Sequence, residues 1–385
     1  MTGKTVLTGQ HFMHGDDACA EGAIAAGCTF FGGYPITPST EVAERLARRL
    51  PQVGGVFIQM EDELGSFASV IGASAAGARA MTATSGPGLS LMMENLGLSV
   101  MMEIPCVLVD IQRGSPSTGL PTQAGQSDVM QVRWGSHGDY ALVAYCPWSP
   151  QEMFDLTVRS FNIADRYRIP VILLSDEVIG HMVERVIIPD AAEIPRWPRK
   201  RPTVPPNGEF MPFLADPHDF VPPMAYAGEG YNVHFTGLTH DAMGYPAMTS
   251  GAHEELVNRL IQKVRINRED ILLHEGYYLD DAEIIVISYG CTARSARRAI
   301  RLARREGIAA GLFRPISLWP FPEDQVKDLA QQAKHIIVAE LNLGQIRLEV
   351  ERLVRRPVMG VHHAGGAMIS PEPIYSRIQE AAGDG

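Results

Sequence analysis

The sequence predicts an α/β protein built as two parallel-sheet domains joined by a proline-rich crossover. Three observations lead there. Short apolar runs alternate with helical patterns through the first half. The alternation breaks near residue 186 into a stretch with many prolines and little periodicity. It then resumes near residue 283. Strand–helix alternation of this kind calls for a parallel sheet covered on both faces by its crossover helices.

In chain order, VFIQM (56–60) reads as a strand and ELGSFASVIGASAAGA as the small-residue helix after it. MTATS (81–85) reads as a strand ending at GPG, SLMMENLGLSVMMEI as a helix, and PCVLVDIQ (105–112) as a buried strand. PQEMFDLTVRSFNIADRYR (150–168) has helical periodicity, and IPVILLSDE (169–177) is another apolar strand. Proline fixes φ and removes a donor, so the segment 186–223 should run extended, either as a plain linker or as an interface arm. EIIVISYG (283–290) is a strand, and TARSARRAIRLARREG (292–307) a basic amphipathic helix closed by Gly307. AAGLFRPISLWPFP follows as strand and turn, DQVKDLAQQAK as helix, HIIVAEL (335–341) as strand and QIRLEVERLV as helix. The expected boundaries are 1–190 for the first domain, 191–265 for the crossover and 266–385 for the second domain.

Bulk properties narrow the function classes. With 385 residues, 45% of them hydrophobic and 20% charged, the chain can bury a large core without disulfide staples. A net charge of −11 argues against a nucleic-acid partner, which needs a basic face. No run of about 18 uncharged apolar residues occurs, so no membrane span is expected, and the first residues lack the apolar core of a signal peptide. Cys19, Cys28, Cys106, Cys146 and Cys291 are scattered and odd in number. That suggests reduced thiols in a cytoplasmic protein and argues against an iron–sulfur cluster held by this chain alone. No metal-ligating set is expected either, since His362–His363 is a lone dipeptide with no CxxC nearby.

Four segments hold the candidate chemistry. GGYPITPST (32–40) pairs a sharp glycine turn with a stiff loop presenting Tyr34, Thr37, Ser39 and Thr40. Ser39 or Thr40 also suits a plain helix N-cap, while a hydroxyl-lined loop at a helix N-terminus can hold an anion. IQMEDELGS (58–66) carries Glu61, Asp62 and Glu63 between strand and helix. An acidic first turn is ordinary dipole chemistry, but one carboxyl turned into the buried strand end would have a raised pKa and could serve as a proton donor. TSGPG (84–88) is a small-residue loop that lets backbone N–H groups approach a ligand, and it is neither a dinucleotide fingerprint nor a P-loop. In DIQRGSPSTGLPTQAGQSD (110–128), Arg113 heads a polar loop where it is either a surface charge or a bidentate carboxylate binder.

YPITPST, MEDE, TSGPG, QRGSPSTGLPT, ILLSDEVIGH and GLFRPISLWPFP, in this order, resemble the α subunits of 2-oxoacid:ferredoxin oxidoreductases over roughly residues 10–380. The GSPSTGLPT loop, with Ser115 as a minor departure, and GLTHDAMGYP (237–246) look closest to the 2-oxoglutarate group. The resemblance implies that the first domain binds the aminopyrimidine of thiamine diphosphate and that the last is like the transketolase C-terminal domain. It implies that Glu63 hydrogen-bonds the pyrimidine ring nitrogen and that Thr37 and Arg113 hold the substrate. Tyr34, Pro35, Ile36, Thr84, Ser85, Gly86 and Pro87 would then line the cofactor. The implied reaction is coenzyme A-dependent oxidative decarboxylation of 2-oxoglutarate, with ferredoxin as acceptor, or its reverse; branched-chain 2-oxoacids and pyruvate are alternatives, as is a non-catalytic scaffold subunit.

Such enzymes hold the diphosphate and Mg²⁺ with GDG followed by about 25–30 residues and an Asn, as the resemblance implies; the metal bridges phosphate and carboxylate oxygens. The one GDG here is 383–385, at the end of the sequence. The expectation is that a β subunit supplies that site and a [4Fe-4S] cluster, with γ and δ ferredoxin-like subunits as further partners.

Overall fold

The computed structural model describes residues 6–206 and 208–383. Asp384 and Gly385 of the C-terminal GDG, and the first five residues, lie outside the described residues.

The first half runs β1 (Gly9–His14), α1 (Gly15–Ala26), β2 (Phe30–Gly33), α2 (Thr40–Arg49), β3 (Val56–Gln59), α3 (Glu63–Ala75), β4 (Ala80–Thr84) and α4 (Gly86–Met101). It continues with β5 (Cys106–Gly114), β6 (Leu120–Ala124), α5 (Val129–Trp134), β7 (Val143–Tyr145), α6 (Pro150–Tyr167), β8 (Pro170–Asp176), α7 (Glu177–His181) and β9 (Val183–Ile188). The main sheet has the order β3-β2-β4-β5-β8-β7, all parallel. Its centre is β5 and β8, buried at every residue, as their continuous apolar runs require.

The Gly/Ser/Thr/Pro segment after Arg113 is a strand return rather than an open loop. β5 extends to Gly114, and β6 folds back antiparallel, pairing Arg113 with Ala124. Helix α1 carried no sequence signal, because its GDDACAEGAIAA pattern is small on all faces rather than amphipathic. It is buried almost throughout, and at Gly22 an added Cβ would lie 2.7 Å from the Phe154 carbonyl oxygen of α6. Small residues let two helices close on one another there.

Residues 189–249 carry no named helix or strand. They are more than a linker. Arg199 is buried and donates to Asp165 Oδ1 at 2.6 Å and to the Ser74 carbonyl at 2.7 Å. Arg168, also buried, donates to the carbonyls of Pro212 and Pro223 at 2.9 Å each. The prolines leave carbonyls without a matching N–H, and buried guanidinium groups collect them. Helix α8 (Ser250–Ile266) then docks through Lys263, which meets the buried Glu103 carboxylate at 2.6 Å.

The remainder runs α9 (Arg268–Ile271), β10 (His274–Tyr277), β11 (Ile284–Ser288), α10 (Gly290–Arg305), β12 (Ala310–Pro315), β13 (Ser317–Trp319), α11 (Glu323–Gln332), β14 (His335–Glu340), α12 (Gln345–Val354), β15 (Met359–His362) and α13 (Pro371–Gly383). The second sheet is β10-β12-β11-β14-β15, parallel except for β10. GLFRPISLWPFP is two strands, not one. β12 belongs to this second sheet, whereas β13 crosses over and pairs antiparallel with β7, adding a strand to the first. Among the described residues no helix is long and apolar enough to cross a membrane.

Candidate active site

The polar loops gather at the carboxyl ends of the parallel strands, where open α/β sheets present ligand sites. The Tyr34–Pro38 loop leaves β2 after Gly33, and at Gly32 the Cβ position is taken up by α3: the Ser66 carbonyl would lie 3.1 Å away. Three successive carbonyls pin the loop. Ile36 O accepts from Ser39 N at 2.9 Å, Thr37 O from Arg113 Nη1 at 2.7 Å, and Pro38 O lies 3.1 Å from His181 Nε2. Ser39 occupies the N-cap position of α2, but its hydroxyl donates back to Ile36 O, so no side chain caps that helix. Tyr34 and Pro35 are exposed, while Ile36 and Thr37 are half-buried.

The three adjacent acids separate into three environments. Glu61 is exposed. Asp62 is the N-cap of α3 and accepts from Gly65 N at 2.7 Å. Glu63, the first residue of the helix, is 5% exposed. Its carboxyl rests against Gly88 of α4, where an added Cβ would lie 2.6 Å from Glu63 Cγ and closer still to Thr84 Oγ1. Burial raises the Glu63 pKa and the Asp62 charge adds to that, while Arg113 opposes it. The carboxyl is therefore easier to protonate than a surface glutamate and is suited to hydrogen-bonding a ring nitrogen.

Thr84 ends β4, and Ser85 leads into α4 with Gly86 and Pro87 in its first turn. The Ser85 hydroxyl is buried and has no hydrogen-bond partner. Arg113 is 5% exposed, and its Nε is likewise buried without a partner. A guanidinium with one edge spent on Thr37 and an unpaired Nε is ready to take an incoming carboxylate.

Sequence reasoning missed two carboxyls beneath Arg113. Asp110 sits in β5 at 0% exposure, and Asp128 precedes α5 at 5%. Burial raises both, Asp128 to about 6, and the Asp128 charge pushes Asp110 further still. Two facing carboxyls in a dry site share a proton, because both cannot ionise at little cost. The available signal was a lone acid inside the apolar run VLVDIQ. Asp128 also underlies Gly86, where an added Cβ would be 3.4 Å from Asp128 Oδ2.

Gly86, Pro87, Ser117 and Asp128 face Asn342 and Gly344 of the C-terminal half across a cleft of about 500 Å³. A buried staple holds the two walls together. Asn342 Nδ2 donates to Gln126 O at 2.7 Å, Gln126 N donates to Leu341 O at 3.0 Å, and Gln126 Nε2 reaches Asp176 at 3.1 Å. The structure thus brings Glu63 and Thr84 together around Gly88, and Arg113 onto Thr37, with Gly86 and Pro87 on the cleft wall; Tyr34 and Pro35 stand outside on the exposed loop.

Residues 21–259 match the family described as pyruvate flavodoxin/ferredoxin oxidoreductase, thiamine diphosphate-binding, and 282–374 match pyruvate:ferredoxin oxidoreductase core domain II. The 2-oxoglutarate synthase subunit KorA of Methanocaldococcus jannaschii is 53% identical over 365 residues, 94% of this chain and 97% of the relative. The ketoisovalerate oxidoreductase subunit VorB of Methanothermobacter thermautotrophicus is 37% identical over 97% of this chain and 98% of its own length. Among solved structures, 2-oxoglutarate:ferredoxin oxidoreductase from Magnetococcus marinus, with 2-oxoglutarate, coenzyme A and succinyl-CoA bound, superimposes with a TM-score of 0.93 at 34% identity. That match covers 97% of this chain and 65% of the solved one.

Proposed function

The chain belongs to the pyruvate flavodoxin/ferredoxin oxidoreductase family, and we propose that it is the α subunit of a 2-oxoglutarate:ferredoxin oxidoreductase. The reaction is the coenzyme A-dependent oxidative decarboxylation of 2-oxoglutarate to succinyl-CoA and CO2, with electrons passed singly to ferredoxin, or the reverse carboxylation. The observation that carries the reading is the buried Glu63 carboxyl against Gly88, with the Arg113 guanidinium within electrostatic reach of it.

The residues present fit thiamine diphosphate. Glu63 would hold the pyrimidine ring nitrogen, with Thr84, Ser85, Gly86 and Pro87 along the ring and Tyr34, Pro35 and Ile36 at its open side. When bound, the cofactor supplies an electron sink for the carbon that loses CO2. Glu63 keeps a proton at the ring nitrogen because burial favours its neutral form. Arg113 grips the substrate's C1 carboxylate through its free edge, and Thr37 orients the guanidinium by taking Nη1, on the other edge, on its carbonyl. The Asp110–Asp128 pair keeps an anionic partner beneath the guanidinium, so Arg113 stays charged although burial works against it.

A β subunit completes the site with the diphosphate, Mg²⁺ and a [4Fe-4S] cluster; γ and δ ferredoxin-like subunits and ferredoxin itself carry the electrons onward. The five cysteines are free and buried, which suits a reducing cytoplasm. A branched-chain 2-oxoacid is the second reading, favoured by the 37% identity to VorB. The two are separated by co-producing the chain with its β partner and measuring coenzyme A-dependent reduction of a low-potential viologen with 2-oxoglutarate, 2-oxoisovalerate and pyruvate. A kcat/KM at least tenfold higher for 2-oxoglutarate supports the first reading; preference for 2-oxoisovalerate installs the second. No turnover with any 2-oxoacid overturns both.

A further inference from the structure

A second cluster lies behind the Tyr34–Pro38 loop and takes no part in the chemistry above. Asp16, in the first turn of α1, is 0% exposed, and neither of its carboxylate oxygens has a hydrogen-bond partner. It points at His181, the last residue of α7, whose Nε2 is 3.8 Å from Asp16 Oδ2. Glu41, in the first turn of α2, brings Oε2 to 3.4 Å from the same nitrogen, and that oxygen is also buried without a hydrogen-bond partner. One ligand atom from each residue lies within 4.8 Å of the other two. Among the described residues this is the one such group of three.

The surrounding charge suits a cation. Burial raises the Asp16 pKa, His181 opposes that, and Glu41, Asp17 and Glu177 add to it as like charges, so a cation among these groups relieves a repulsion. The nearby Arg45 is occupied by Glu21 at 2.7 Å and by Asp17 at 3.9 Å. On the other side of the imidazole, Glu177 Oε1 lies 3.5 Å from Nδ1. The Glu177 contact, with Asp16 and Glu41 beside the ring, raises the His181 pKa to about 9, so a metal would take Nε2 in place of a proton while Glu177 keeps the other proton on Nδ1, as in carboxylate–histidine–metal arrangements. Gly180 makes room for the acid: an added Cβ would sit 2.8 Å from Asp16 Oδ1.

We infer that Asp16, Glu41 and His181 bind one divalent cation of the zinc and manganese class, with the Pro38 carbonyl beside His181 Nε2 as a further oxygen donor. Two carboxylates and an imidazole make a mixed O/N set that favours these metals over Mg²⁺ or Ca²⁺. The site ties α1, α2 and α7 to the loop whose Thr37 carbonyl orients Arg113, so its role is to hold that loop's position. The competing occupant of the cluster is a proton on His181.

The test uses the full chain with its β partner, produced with added Zn²⁺, dialysed, and analysed for metals other than iron and magnesium. The expected result is about one equivalent of zinc per α chain, lost in both Asp16→Asn and Glu41→Gln and kept in Asp17→Asn. Glu177→Gln should retain the site but weaken zinc affinity about 10- to 100-fold, the usual cost of removing a group that orients a metal-bound histidine. If Asp16→Asn fails to fold, the half-exposed Glu41→Gln decides. Stripping with a chelator should lower the melting temperature of the wild type, and Zn²⁺ should restore it, with Glu41→Gln unresponsive. Stoichiometry below about a tenth of an equivalent, with a melting temperature indifferent to chelator and to Zn²⁺, overturns the inference and leaves protonated His181 as the closing cation.

Discussion

Gly88→Ala tests whether Glu63 works by position rather than by mere presence. The new methyl would sit 2.6 Å from Glu63 Cγ, in a contact that needs about 3.4 Å. Glu63 or the start of α4 must therefore retreat by about 1 Å, with Thr84 Oγ1 displaced as well. Overpacking of this kind costs about 1–3 kcal/mol of stability, which a chain of this size tolerates. A displacement of about 1 Å at a catalytic contact costs on the order of 100-fold in rate, or about 2.7 kcal/mol in the barrier. Steady-state kcat/KM of the assembled enzyme, with thiamine diphosphate titrated to saturation, reads the second effect; thermal melting reads the first. Gly72→Ala is the matched control on the same helix as Glu63, because nothing lies within 4 Å of its added Cβ. It should be neutral or stabilising by up to about 1 kcal/mol, with activity unchanged. A folded Gly88→Ala enzyme within about twofold of wild type would refute the reasoning, since the carboxyl would then tolerate a shift that its assigned contact does not.

Three further outcomes follow from the same geometry. Glu63→Gln should leave folding intact and remove several kcal/mol of transition-state stabilisation; near-normal turnover would transfer the role to another acid, although Asp62 is spent on its cap and Glu61 is exposed. Arg113→Ala should lower kcat and raise KM together by about 2–5 kcal/mol for every 2-oxoacid, with Arg113→Lys restoring only part because a point charge lacks the fork; damage confined to 2-oxoglutarate would mean that Arg113 reads the distal carboxylate. Glu103→Gln should destabilise the fold by about 3–5 kcal/mol near pH 7, because it strands Lys263 and Arg259 beside a neutral side chain. Burial works against the Glu103 carboxylate, but Lys263 and Arg259 outweigh it and hold the group far below its usual range. Burial also lowers Lys263, to about 8, so the ammonium stays charged at neutral pH and the pair is intact there. With a depressed folded-state pKa, the wild type has this stabilisation in full above the ordinary carboxyl range and loses it as pH falls below about 4. The gap between wild type and variant in urea midpoints should narrow on acidification, and a gap that widens would show the assignment to be wrong.

Much of the architecture could be read from residues whose environment is uniform. The runs PCVLVDIQ and IPVILLSDE are apolar throughout because both faces of their strands are covered, and they became the buried β5 and β8. Helix α1 was invisible for the opposite reason: it is buried on nearly every side, so no polar face marks its period. The 115–128 segment looked like a loop because its Gly, Ser, Thr and Pro content masks the short β6, whose pairing is set by the end of β5 rather than by its own propensity. In the site, the MEDE tetrad announced an acid but could not say which one turns inward, since capping and burial depend on where β3 ends. Asp128, Asn342 and the Asp16–His181 contact are products of tertiary approach between distant segments, and no local spacing encodes them.

The passage of β13 into the first sheet limits how the molecule can move. A two-lobed enzyme often works like a jaw, with its lobes swinging about a connecting hinge. Here one lobe is sewn into the other: β13 lies in the chain between β12 and β14, both strands of the far sheet, yet it is hydrogen-bonded to β7. The Gln126–Asn342 staple adds a second tie across the same seam. Swinging the lobes apart would tear a strand from a sheet and expose Gln126 and Asp176 unpaired, a cost far above that of a breathing motion. The cleft is a slot of fixed gauge. Admission to it is left to the short loops at its rim, or to whatever second chain closes over them.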